Sequence, residues 1–266
     1  TGNTAVGYYA GQQVTTGINN TILGANAGDA LTDANNNVAV GFQALTSDVE
    51  GGNAVAVGAY ALQSQNVADD VNTYNVAIGS LSGQSITTGI QNILVGGNAG
   101  DALTDADFNV AIGQSALSSD VLGSRSVAVG TYSLFSQKPV DGSGNDHATD
   151  MYNVAVGYSA GNAVTTGIKN TFVGGLAGDA TTTGFENVAI GYDSLGTNTL
   201  GSHSVAVGPS ALRTQNYGSA TDAYNTAVGS FAGYAITSGT ANTLVGGQSG
   251  DALTTGSNNV AIGLSA

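Results

Sequence analysis

The chain has 266 residues, with 41 glycines, no cysteine and a net charge of −14 from 18 acidic against 4 basic residues. An acidic surface of this kind repels phosphate backbones and anionic head groups, which argues against nucleic acid as a partner and against direct membrane contact. Apolar residues at 41% argue against disorder, only two prolines argue against a collagen-like chain, and the lack of cysteine leaves nothing dependent on redox compartment.

Fifteen glycines close copies of a short motif, Asn-x-Ala-Val/Ile-Gly: Gly7, Gly24, Gly41, Gly58, Gly79, Gly96, Gly113, Gly130, Gly157, Gly174, Gly191, Gly208, Gly229, Gly246 and Gly263. They stand 17 residues apart, except for steps of 21 after Gly58 and Gly208 and of 27 after Gly130. A short fixed period predicts an all-β solenoid, a parallel β-roll with one coil per repeat. The longer step in every fourth coil groups the coils into modules of four, at 3–74, 75–152, 153–224 and an incomplete 225–266, within one body. The chain starts and stops inside a coil, so it reads as a segment of a longer fibre.

Let the motif Asn be position 1 and its glycine position 5. Asn fills position 1 in twelve coils, among them Asn3, Asn20, Asn37, Asn75, Asn92, Asn109, Asn153, Asn170 and Asn187. Stacked amides of this kind predict a hydrogen-bonded ladder at one corner. Ala54, Ser126 and Ser204 break it, each in the fourth coil of a module. Positions 2 and 4, as in Val38/Val40 and Val76/Ile78, share one face, which is expected to fill the coil. Position 8 is always Ala or Ser, a crowded site. A second strand is expected beyond it, running into turns such as Val14-Thr15-Thr16-Gly17.

Position 3 is then the outward side of the first strand. It is Ala in eleven coils (Ala39, Ala111 and Ala189 among them) and large in the second coil of each module, at Ile22, Leu94, Phe172 and Leu244. Apolar residues on an outward face call for a cover, and another copy of the chain about a shared axis is the economical one. These seven residues are the expected subunit-axis contacts.

The long steps produce inserts from Gln65 to Tyr74, Gln137 to Tyr152 and Gln215 to Tyr224. Insertions leave a solenoid at one corner, so they are expected to protrude as a ridge. Their candidate recognition residues are Asp69, Asp70, Tyr74, Asp141, Asp146, His147, Tyr152, Tyr217, Asp222 and Tyr224. This polar and aromatic mix suits shallow glycan or protein contact; bracing the fibre is the competing role. The 141–146 stretch offers oxygens for Ca2+ but lacks a closing bidentate Glu, so a flexible turn is the better reading and no other cofactor is expected. The near-match Gly96-Gly97-Asn98-Ala99-Gly100-Asp101 to a calcium-binding repeat recurs only once per module and reads as a corner. His147 and His203 lie 56 residues apart with no cysteine, which supports neither zinc nor a nucleophilic triad. With only Glu50 and Glu186 as glutamates and the Asp pairs on loops, no carboxylate pair for glycoside hydrolysis stands out, so the chain is not expected to be an enzyme.

Asn153-Val154-Ala155-Val156-Gly157-Tyr158-Ser159-Ala160, Asn109-Val110-Ala111-Ile112-Gly113-Gln114-Ser115-Ala116 and Ser204-Val205-Ala206-Val207-Gly208-Pro209-Ser210-Ala211 resemble head repeats of trimeric autotransporter adhesins. The resemblance covers essentially the whole chain. It implies a left-handed parallel β-roll with three chains side by side on a bacterial surface. The 17-residue coil is longer than is typical of that family, and no stalk, neck or membrane barrel lies within the chain. Long arrays of this type also resemble bacteriophage tail-fibre shafts. The expected function is a structural and adhesive extracellular fibre segment, a homotrimer that contacts host-surface glycan or protein through its inserts. A phage tail-fibre shaft is the alternative. A polysaccharide-degrading enzyme stands behind it, as does an ice-binding protein, whose threonine array is broken here (Thr4, Thr21, Thr171, Thr226, Thr243).

Overall fold

Val-Ala-Val and Val-Ala-Ile triplets are strong strand formers, and the glycine that follows each one ends the strand. In the computed structural model, which describes residues 2–68 and 71–266, each motif contributes one three-residue strand, and no described residue is helical. The described residues form a parallel β-solenoid of about 15 turns. They fall into two compact units, drawn from Thr1–Ser126 with Pro139–Thr149 and from Val127–Lys138 with Asp150–Ala266.

In the first unit the strands are Thr4–Val6, Thr21–Leu23, Val38–Val40, Val55–Val57, Val76–Ile78, Ile93–Val95 and Val110–Ile112. In the second they are Val127–Val129, Val154–Val156, Thr171–Val173, Val188–Ile190, Val205–Val207, Thr226–Val228, Thr243–Val245 and Val260–Ile262. Within each unit every strand pairs in parallel with the next, position on position, as in Thr4↔Thr21, Ala5↔Ile22 and Val6↔Leu23. The 17-residue period therefore sets the register.

The remainder of each coil is stacked turns rather than the expected second strand. Its backbone still bonds from coil to coil: Gly11 N–H to Ala27 O at 3.0 Å, Gln13 N–H to Asp29 O at 3.2 Å, Thr15 N–H to Thr32 O at 2.8 Å. Among the described residues, two-residue strands occur only at Gly123–Ser124, Thr149–Asp150, Gly201–Ser202 and Thr221–Asp222. The motif glycine is required by close approach. At Gly58, with φ +137°, an added Cβ would lie 2.4 Å from the carbonyl oxygen of Gly79 in the next coil.

The two faces of the strand are the reverse of the expectation. Ile22, Leu94, Phe172, Leu244, Ala39, Ala111 and Ala189 are all buried within a single chain, and so are not contacts at a subunit axis. Positions 2 and 4 point outward instead, with Leu23 at 48% and Ile93 at 43% exposure in interior coils. The physical reason is the thinness of the coil. Position 3 faces the turn at positions 8 and 9, and the gap admits Ala opposite Leu, or a large residue opposite Gly.

That exchange explains the module. Position 9 is Gly in the first two coils of each module and Leu in the next two, as in Gly83, Gly100, Leu117 and Leu134. Leu94 fills the space beside both glycines: an added Cβ would meet its Cδ1 at 2.8 Å from Gly83 and its Cδ2 at 2.8 Å from Gly100. Ile22 lies likewise between Gly11 and Gly28, Phe172 between Gly161 and Gly178, and Leu244 between Gly233 and Gly250. One large side chain from the strand thus takes the place of two leucines from the turn.

Candidate functional site

The Asn column supplies the frame on which the surface features are mounted. Asn92 Nδ2 donates to Ala106 O at 2.8 Å, and its Oδ1 accepts the backbone N–H of Asn109 at 3.0 Å. The same two bonds recur at Asn3, Asn20, Asn37, Asn109, Asn170 and Asn187. Asn75 and Asn153 make them as well, donating to Gly89 O and Gly167 O at 2.7 Å. Each buried amide satisfies two backbone groups that the corner would otherwise orphan.

Where the column is broken by Ala54, Ser126 or Ser204, the glutamine that begins the insert takes over. Gln65 is fully buried, donates from Nε2 to Asp48 Oδ2 at 2.6 Å and accepts at Oε1 from Asn75 Nδ2 at 2.9 Å. It therefore spans the rung that Ala54 cannot make. Gln215 does the same between Ser204 Oγ, at 2.9 Å, and Asn225, whose Nδ2 donates to it at 2.9 Å. Asn153 donates to Gln137 Oε1 at 2.9 Å. Burial holds the Asp48 carboxyl above the usual carboxylate range, against the opposing pull of the Gln65 amide.

The inserts lie closer to the solenoid than a protruding ridge would. In the first, Val67 and Thr73 are buried and Asn72 Oδ1 accepts from Asn53 Nδ2 at 2.6 Å. Tyr74 is exposed, whereas Asp69 and Asp70 lie outside the described residues. In the third, Tyr217 is 7% exposed and its hydroxyl donates to Gly239 O at 2.9 Å. Its phenol is pushed up to about 12 by burial. Tyr217 is therefore an anchor of the insert and not a recognition residue. Asp222 and Tyr224 lie at the surface around His203. The imidazole stacks on Tyr224 at 5.0 Å and 6°, and its nitrogens lie 3.3 Å from Glu186 and 3.4 Å from Asp222.

Among the described residues only the middle insert stands clear, with 141–148 exposed throughout, including Asp141, Asp146 and His147. Asp141 Oδ1 accepts the backbone N–H groups of Ser143 at 2.8 Å and Asn145 at 3.0 Å, and these bonds hold its carboxyl below the usual range. The carboxylate is thus engaged in closing its own turn. Among the described residues no three of His, Cys, Asp and Glu come together as a metal-ligand set. Tyr152 is half exposed and donates from its hydroxyl to Asp150 at 3.2 Å.

Two surface features were missed in the sequence. The first is the outward strand face. Positions 2 and 4 hold 25 Val, Ile or Leu residues and five Thr. Leu23, Ile78, Ile93, Ile112, Val156, Ile190 and Val228 are all among the exposed large hydrophobics. The second is the placement of aromatic residues. Of 17 Tyr and Phe, only Phe172 and Tyr217 are buried. Ten lie on the corner just after the motif glycine, at positions 6, 7 and 10, and five on the corner just before the motif Asn. Aligning the coils by position shows the second; the first needs the direction of the strand, which the structure supplies. No enclosed pocket occurs on the described surface.

No protein-family model matches the chain, and a search of curated proteins finds no significant match.

Proposed function

We propose that the chain is a structural and adhesive segment of an extracellular fibre, assembled as a homotrimer of side-by-side β-solenoids and without catalytic activity. The observation that carries this reading is the outward strand face, whose apolar residues repeat at every coil in both units. A soluble chain with a bare apolar sheet face needs a cover, because each Val or Ile taken out of water contributes roughly 1.5–3 kcal/mol. A second and third copy carry the same face with the same coil spacing, so identical stripes match along their length. The shared axis expected from the sequence is thus retained, with positions 2 and 4 as its lining in place of position 3. The resemblance to adhesin head repeats favours three copies and a bacterial surface; a phage tail-fibre shaft is the second reading, favoured by the same repeats.

Sedimentation velocity tests the assembly. The wild-type chain is expected to run as a trimer, and Val156→Asp with Ile190→Asp as a monomer with an unchanged β-type circular dichroism spectrum. A wild-type chain that stays monomeric at high micromolar concentration overturns the proposal.

A further inference from the structure

We propose that the aromatic corner after the motif glycine binds extended, neutral polysaccharide, with Tyr132, Phe135 and Tyr158 as its principal platform. This inference rests on the fibre reading and assigns the adhesive contact to a surface of the solenoid wall in place of the inserts. The three rings pack edge to face: Tyr132 and Phe135 have centroids 5.6 Å apart at 84°, and Tyr132 and Tyr158 are 6.4 Å apart at 77°. Such packing holds the rings rigid, which lowers the entropy lost on binding. Tyr158 is 59% exposed, and Asn162 sits beside the cluster with Nδ2 donating to Tyr132 O at 3.2 Å.

Further along the same corner, Phe231 and Tyr234 pack at 5.6 Å, and Arg213 donates to the Tyr234 hydroxyl at 3.2 Å while it pairs with Asp193. The two groups are four to five coils apart, or roughly 20 Å at about 4.8 Å per coil.

Three observations select the occupant. Aromatic faces interleaved with hydroxyl, amide and carboxylate groups match a sugar chain, whose rings show C–H groups on their faces and hydroxyls at their edges. Two aromatic groups roughly 20 Å apart along one corner suit a chain that runs extended, as β-1,4-linked polymers do, better than one that coils. The net charge of −14 disfavours anionic polysaccharides. The rings lie on the corner that follows the strand and not on its Val- and Ile-lined face.

The test is affinity electrophoresis and pull-down of the intact chain on amorphous cellulose and colloidal chitin, with starch and alginate as coiled and anionic controls. The variant is Tyr132→Asn with Tyr158→Ser. Asn stands at the equivalent of Tyr132 in two other coils (Asn26, Asn98) and Ser at the equivalent of Tyr158 in another (Ser80), so the fold tolerates both. Retention of the wild type on cellulose or chitin, weak retention on starch and alginate, and a loss of at least tenfold in the variant are expected. Wild-type chain that assembles but is not retained overturns this inference and leaves the fibre reading standing. Equal retention on alginate, or equal retention of the variant, overturns it too. A shift in the variant's sedimentation would show the corner to be a contact between copies, and would also overturn it.

Discussion

Phe172 and Thr181 form the sharpest test of the core. In the other modules the corresponding pairs are Ile22 with Leu31, Leu94 with Leu103 and Leu244 with Leu253. In the first two modules the space beside the glycine is shared: a Cβ on Gly100 would meet Leu103 Cδ1 at 2.8 Å and Leu94 Cδ2 at 2.8 Å. Beside Gly178, Phe172 fills it alone, with Cε1 2.4 Å from where a Cβ would stand, and Thr181 is small, buried and has a hydroxyl without a hydrogen-bond partner. Phe172→Leu alone should open a cavity and cost about 1–2 kcal/mol. Thr181→Leu alone should overpack the site by about 1–3 kcal/mol, less what is regained by removing an unpaired buried hydroxyl. The double variant restores the pair found in the second and fourth modules and should match or exceed the wild type. A favourable coupling of about 1–3 kcal/mol is therefore expected from a double-mutant cycle. Urea unfolding gives the values, and amide hydrogen exchange at Gly178 and Thr181 localises them, since coils unfold partly independently. Single effects that add to within about 0.5 kcal/mol would refute the shared-space account of the module.

Burial, with the nearby Asp193 carboxylate, pushes Asp179 up to about 6, and its Oδ1 has no hydrogen-bond partner. A folded pKa above the unfolded one favours the neutral acid, so its contribution is full below about pH 4 and lost as pH rises through 6. Asp179→Asn should therefore stabilise the fold at pH 7 by about 1 kcal/mol, once screening at this half-buried site is allowed for, and leave it unchanged at pH 3.5, as read from urea unfolding at the two pH values; a pH-independent gain would contradict this. Gly58→Ala places a Cβ 2.4 Å from Gly79 O at φ +137°, and should cost more than about 3 kcal/mol or locally unfold the fourth coil, seen as lost exchange protection at Gly79. Asn92→Ala strips partners from Ala106 O and the Asn109 N–H, for about 2–4 kcal/mol by thermal unfolding; an effect below about 0.5 kcal/mol would mean that water replaces the amide.

The period, the parallel register and the stacking of the coils could be read from the glycines, because a close approach at every coil tolerates no other residue there. The Asn column was readable for a similar reason: a small amide at a fixed corner has few other uses. The direction of the strand was not readable. In a triplet such as Val38-Ala39-Val40 all three residues are apolar, so alternation gives two apolar faces, and size wrongly suggests that valine faces in. Only the matching column of Gly and Leu at position 9, opposite position 3 in space, settles the question. Tyr217 was misplaced because an insert residue looks exposed in sequence, whereas its hydroxyl is needed by Gly239 O and its ring by the wall.

The thin core also determines what the outside can be. A wall that admits Ala opposite Leu leaves almost no room inside for aromatic rings, and Phe172 enters only where two glycines and Thr181 make way. Nearly all other rings are therefore at the surface, without the penalty that moving them out of a wide core would carry. The inserts obey a parallel constraint. A coil can be lengthened only where the Asn rung is given up, since the residues that would accept its bond leave the stack. The Gln of the insert then fills the broken rung and joins it to the next intact one, as Gln215 does by accepting from Asn225 and Gln65 by accepting from Asn75. Over their described residues the first and third inserts, so fastened at their root, lie against the wall, while the middle one stands clear at 141–148; most rings at the corner after the glycine remain uncovered. On this argument the ladder that stabilises the solenoid also fixes which of its surfaces stays uncovered.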